Sequence, residues 1–174
     1  MRLLTALLIC TFCLQSASWA QNQSDRLPSS VRLELNRRFP GWKFAEVSPE
    51  VRQFFETDMI GKSPNLIDGD FDGNGKRDYA VLITHGKARY GKLTWPRSLL
   101  IVFLRKSSGY RMHVIKEPNG EYLCLARKGE KDFNYDEQKE ITYANDAILT
   151  GILEKGGSSC VFEKGRFRSF VSSD

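Results

Sequence analysis

Apolar residues recur at Leu27, Val31, Leu35 and Phe39, the spacing of one helix face. Ser29 or Ser30 offers a cap, and Pro40-Gly41 closes the run. Residues 42–47 read as a short strand. A second helix starts at Ser48-Pro49-Glu50, with a serine cap, proline in the first turn and an acid near the positive end of the dipole. Val51, Phe54, Phe55 and Met59 form its apolar stripe, and Gly61 ends it.

From Asn65 onward the pattern becomes strand and turn. Apolar runs at 79–84 and 98–104 are followed by a Ser107-Ser108-Gly109 turn into 110–115. Pro118-Asn119-Gly120 turns into 121–126. Further strands are expected at 147–153, 160–162 and 167–171. Residues 128–140, rich in Lys, Asp and Glu, read as a solvated loop. The spacings favour antiparallel pairing. The expected architecture is α+β, with two N-terminal helices packed on a meandering antiparallel sheet of six or seven strands.

Residues 1–20 change the starting point. Arg2 is followed by an apolar run (Leu3, Leu4, Leu7, Leu8, Ile9, Phe12) that closes on Ser18-Trp19-Ala20. That is the anatomy of a secretory signal peptide, and it predicts a secreted or periplasmic protein whose single domain is 21–174. No later run approaches the ~18 apolar residues that suggest a membrane span.

The 174-residue chain carries 26 Lys+Arg against 21 Asp+Glu. Without Arg2 the balance is +4, a weak argument for a polyanion partner. Cys10 and Cys13 would leave with the leader. Cys124 and Cys160 remain, and in an oxidising compartment the simplest expectation is one disulfide between them. Two cysteines and two scattered histidines, His85 and His113, lack the spacing of a zinc site or of a catalytic triad.

The sharpest chemistry lies in residues 70–78, Asp70-Phe71-Asp72-Gly73-Asn74-Gly75-Lys76-Arg77-Asp78. Side-chain oxygens fall at Asp70, Asp72, Asn74 and Asp78, positions 1, 3, 5 and 9 of a loop. A hard cation of calcium's size takes six to eight oxygens. Ligands at every second residue converge only if the backbone curls, which Gly73 and Gly75 permit through positive φ. Lys76 would offer its carbonyl oxygen. Three carboxylates in nine residues also repel one another without a counter-ion.

This is not an EF-hand, because Val81 stands where a bidentate Glu belongs and the flanks read as strands. The loop resembles the calcium loop of FG-GAP (integrin-type) repeats, D-x-[DN]-x-[DN]-G-x-x-D before an apolar strand. With its basic, aromatic end at Gly165-Arg166-Phe167-Arg168-Ser169-Phe170, the chain also resembles small secreted bacterial proteins of unassigned function that carry one such loop. The resemblance implies Ca2+ held by Asp70, Asp72, Asn74, Lys76 and Asp78. FG-GAP proteins stack several repeats into a propeller, and this chain has one copy, so neither propeller nor adhesion is implied.

Residues 87–97 crowd Lys87, Arg89, Tyr90, Lys92, Trp95 and Arg97 into what reads as a loop between two strands. Cations interleaved with aromatics suit an acidic polysaccharide or a protein partner. Export argues against nucleic acid. The leading expectation is a monomeric, non-enzymatic binding module with a structural calcium loop. The alternatives are a secreted hydrolase whose active-site loop calcium supports, and an inhibitor of a secreted enzyme.

Overall fold

The computed structural model describes residues 25–173 apart from 117 and 119, so the leader expected at 1–20 lies outside the described residues. The chain divides into two compact units, Met1–Pro40 and Gly41–Asp174.

In the first unit, helix α1 spans Ser29–Arg38 and buries Val31 and Leu35, and Leu27 just before it is buried too, so three of the four residues on the predicted face are covered. The serine cap is a correction: Pro28 occupies the cap position and no side chain caps the helix. Its carbonyl instead accepts the N–H groups of Val31 and Arg32, both at 3.0 Å. At the far end Glu34 binds the guanidinium groups of Arg37 and Arg38.

Among the described residues the second unit holds helix α2 (Pro49–Thr57) and eleven strands: β1 (Lys43–Phe44), β2 (Leu66–Gly69), β3 (Asp78–Tyr90), β4 (Leu93–Lys106), β5 (Gly109–Lys116), β6 (Tyr122–Ala126), β7 (Lys131–Asn134), β8 (Lys139–Thr142), β9 (Ala147–Ile152), β10 (Gly156–Glu163) and β11 (Arg166–Ser173). Helix α2 starts as its sequence dictates. Ser48 Oγ accepts the Val51 N–H at 3.3 Å, and Pro49 and Glu50 fill the first turn. Its Phe54 and Phe55 rings pack on Tyr122 of β6, at 6.2 and 5.7 Å between centroids.

The class is α+β and the pairing antiparallel, but the single meandering sheet is corrected. The strands form three sheets. The first has the order β1-β3-β4-β5 with β2 also on β3, the second is β11-β10-β9-β6, and β7 with β8 makes a separate hairpin. The solvated loop expected at 128–140 is corrected too, for it carries β7 and the first half of β8. Its alternating residues were masked by the charges around them.

The first two sheets share one core. Ala80, Leu82, Leu100 and Val102 come from the first, Leu123, Ile148 and Cys160 from the second, and Phe71 from the β2–β3 loop. On the opposite face of β3 and β4, Val81, Ile83, Ile101 and Phe103 are fully buried too. Strands covered on both faces read as unbroken apolar runs, which is why 79–84 and 98–104 were legible. The β7–β8 hairpin is tied to the second sheet by a polar knot. Tyr143 Oη and Ser159 Oγ both donate to the Asp132 carboxylate, the latter at 2.9 Å.

The predicted disulfide is absent: Cys124 and Cys160 are both free. Register explains it. Cys124 pairs with Leu149 of β9, and Cys160 pairs with Ile148 on the other edge of the same strand. Directly paired residues share a face, and successive residues of β9 point to opposite faces. The thiols therefore lie on opposite sides of the sheet, with a strand between them. Two strand spacings, ~9–10 Å, exceed the ~7 Å limit between bridged Cα atoms.

Candidate metal centre

The β2–β3 connection carries the acidic loop. Strand β2 ends at Gly69, paired with Asp78 at the start of β3, and residues 70–77 bridge them. Phe71 anchors the bridge. Its ring is 1% exposed within the shared core, while the flanking Asp70 and Asp72 are only partly buried. Alternation thus sends one residue into the core and its neighbours towards a common centre. Gly73 and Gly75 take φ of 72° and 75°, the left-handed backbone that the curl demands.

One carboxylate oxygen from each of Asp70, Asp72 and Asp78 lies within 4.8 Å of the others. Oxygens bound to one cation at ~2.4 Å stand no further apart than about twice that length, so the three are close enough to share one ion. The donors are all oxygen, the set a hard cation prefers.

Each carboxylate is oriented by main-chain donors. The oxygens of Asp70 accept the N–H groups of Asn74 at 2.9 Å and Gly75 at 2.8 Å. Those of Asp78 accept Phe71 N–H at 2.9 Å and Arg105 N–H at 2.6 Å. A carboxylate has about four lone-pair sites, so these bonds leave room for a cation. Asn74 Oδ1 accepts Lys76 N–H at 2.9 Å, and its Nδ2 donates to Arg105 O at 2.9 Å.

Asp78 is fully buried. Burial pushes its carboxyl up to about 6, with the charge of Asp72 acting the same way against the N–H groups of Arg105, Phe71 and Asp72. An ionised carboxylate in that position is costly unless a cation joins it. One already stands close, for Lys106 Nζ contacts Asp72 Oδ2.

Sequence reasoning missed the residues that hold the loop from outside. Asp146 Oδ2 accepts Asp70 N–H at 3.0 Å, and Asp146 N–H returns to Asp70 O at 3.2 Å. Burial raises the Asp146 carboxyl, yet it is held below the usual range by the N–H groups of Asp70 and Lys128 and by the Arg127 guanidinium. Asn145 presses on the loop where a Cβ at Gly73 would stand, 2.3 Å from Asn145 Oδ1. Lys106, Asn145 and Asp146 lie 28 or more residues from Asp78 in sequence, and no local pattern marks them.

The other candidate residues sit elsewhere. His113 packs edge-on against the rings of Phe162 and Phe167, at 5.6 and 5.4 Å. The basic segment 87–97 is not a loop, which is a further correction. Strands β3 and β4 run through it as a continuous ribbon, pairing Lys87 with Pro96 through Tyr90 with Leu93. Trp95 is 45% and Leu93 68% exposed. No helix among the described residues is long and apolar enough to cross a membrane. No family model matches the chain, and neither does any curated protein or solved structure.

Proposed function

We propose that this protein is a secreted or periplasmic, non-enzymatic interaction module whose fold is clamped by one calcium ion. The ion would sit among the carboxylates of Asp70, Asp72 and Asp78, with the Asn74 side-chain oxygen and the Lys76 carbonyl completing the protein ligands, as in the FG-GAP-type loop. The observation that carries this reading is the convergence of three carboxylates within 4.8 Å around a buried, main-chain-oriented Asp78. The leader-like pattern of residues 1–20 supports export. The exposed basic ribbon at 87–97 supports a binding role.

Calcium in extracellular modules binds with Kd around 10⁻⁴–10⁻³ M, which suits a permanent structural ion better than a signal. Its role here is to neutralise the carboxylates and lock the turn between β2 and β3.

The Lys106–Asp72 contact favours a second reading, in which the lysine is the only counter-ion. Calcium titration calorimetry on the wild type and on Lys106→Met separates the two. Calcium clamping predicts one site in the wild type and tighter binding in Lys106→Met, because a competing cation has gone. Absence of binding in both variants, with Lys106→Met destabilised, would establish lysine as the counter-ion.

A further inference from the structure

We infer that the free end of the β3–β4 ribbon is a docking arm for an anionic lipid surface. This rests on reading the protein as an interaction module and names the partner of its exposed ribbon.

Beyond Thr84 and Ser98 the two strands pair, among the described residues, with each other alone: Lys87 with Pro96, Ala88 with Trp95, Arg89 with Thr94, and Tyr90 with Leu93. The register shifts between Thr84 and Lys87, where Gly86 takes φ of 71°. Such a bulge re-aims the strands that follow it. Paired residues share a face and neighbours along a strand alternate. Ala88, Leu93 and Trp95 therefore fall on one face, and Lys87, Arg89, Thr94 and Pro96 on the other. Arg97 shares the apolar face at the base of the arm, and Lys92 lies in the turn.

Residues 86–97 contain four cations, Lys87, Arg89, Lys92 and Arg97, and no acid. Arg89 Nε donates to Gly91 O at 3.0 Å and Arg97 Nη2 to Lys87 O at 3.1 Å, so both guanidinium groups brace the ribbon through main-chain carbonyls. The arm is amphipathic, with an exposed Leu-Trp face backed by a basic one.

That division selects the partner. Two copies meeting through their arms would bring like charges together. A polyanionic chain is gripped where cations and aromatics share a face, whereas Lys87 and Arg89 stand opposite Trp95, and Arg97, which shares its face at the base of the arm, is bonded to Lys87 O. A membrane interface accepts both faces at once. Trp and Leu settle at the boundary of headgroups and acyl chains, while Lys and Arg reach anionic headgroups.

The test is co-sedimentation of the protein with vesicles of phosphatidylcholine alone or mixed with phosphatidylglycerol, beside binding to immobilised heparin as a soluble-type polyanion. The variants are Leu93→Ser/Trp95→Ser and Lys87→Gln/Arg89→Gln, all at exposed positions, with melting curves to confirm folding. Binding is expected only when phosphatidylglycerol is present and should weaken with salt. Removing two surface cations should lower partitioning by about thirty-fold, from roughly five-fold per cation. The Leu93→Ser/Trp95→Ser variant should lose vesicle binding altogether. Vesicle binding that survives in Leu93→Ser/Trp95→Ser overturns the lipid assignment. Binding to heparin without vesicles also overturns it, and leaves the interaction-module reading standing. Binding to neither overturns both.

Discussion

Asp146 clasps the main chain of Asp70 at both of its polar groups, taking its N–H at 3.0 Å and giving its own N–H to the carbonyl at 3.2 Å. The two residues are 76 positions apart, and the clasp joins the acidic loop to the turn that precedes β9. The loop is therefore positioned by the second sheet as well as by its own hairpin.

Asp146→Ala should destabilise the protein by about 1–3 kcal/mol, because it strands the N–H groups of Asp70 and Lys128 and frees Arg127. Its carboxyl is held low in the fold, so its contribution is present above the ordinary carboxylate range and is lost as pH falls through the lower folded value. Urea denaturation in chelator checks this. The gap between wild type and variant should close in acid, and a gap independent of pH would contradict the assignment.

Gly73 and Gly75 make an internal comparison. Both have positive φ, but a Cβ at Gly75 meets nothing within 4 Å, whereas one at Gly73 meets Asn145 Oδ1 at 2.3 Å. Gly75→Ala should cost only the left-handed backbone penalty, ~1–2 kcal/mol. Gly73→Ala should cost more, and Asn145→Gly should recover the excess. Equal costs for the two glycine variants in thermal unfolding would mean that Asn145 does not press on the loop.

Both described thiols should be inert in the native protein. Burial raises the Cys124 thiol and pushes Cys160 up to about 11, and the thiolate is the reactive form. Alkylation at neutral pH followed by peptide mass spectrometry should label Cys124 and Cys160 only after unfolding, and reductant should leave the melting temperature unchanged. A peptide linked through Cys124 and Cys160 would refute the strand register.

His113 gives the fold an acid-sensitive point. Burial against Phe162 and Phe167 lowers its pKa, and the charges of Arg111 and Lys106 act in the same direction. Below about pH 6.5 the unfolded chain takes up a proton that the folded chain resists, so stability is lost as pH falls. Asp78 works oppositely in the metal-free protein. Its raised carboxyl takes up a proton in the fold first, adding stability as pH falls through about 6. His113→Phe isolates the first effect. Relative to wild type, the variant should gain stability from about pH 7 to pH 5 in denaturant titrations. A difference that does not change with pH would remove the role assigned to His113.

Local chemistry explains what was legible in the sequence. The Ser48-Pro49-Glu50 start of α2 and the Asp/Gly pattern of residues 70–78 each depend on neighbours a few residues away. The apolar runs that became the centres of β3 and β4 were visible because both their faces are covered. What escaped depends on distant partners. The basic ribbon looked like a loop because its apolar face is exposed and, among the described residues, its strands pair only with each other. The expected Cys124–Cys160 bridge failed because two cysteines can be matched by number, while the face each one occupies follows from its register on β9. Asn145, Asp146 and Lys106 complete the acidic site through tertiary contact alone.

The most direct test of the central claim is the melting temperature of the wild type and of Asp70→Ala, each in chelator and then in millimolar calcium. With Kd near 10⁻⁴ M, ~1 mM calcium adds about 1.4 kcal/mol, a rise of roughly 3–6 °C for a chain of this size. The account predicts that rise in the wild type and none in Asp70→Ala. A wild-type melting temperature that does not move with calcium would contradict it.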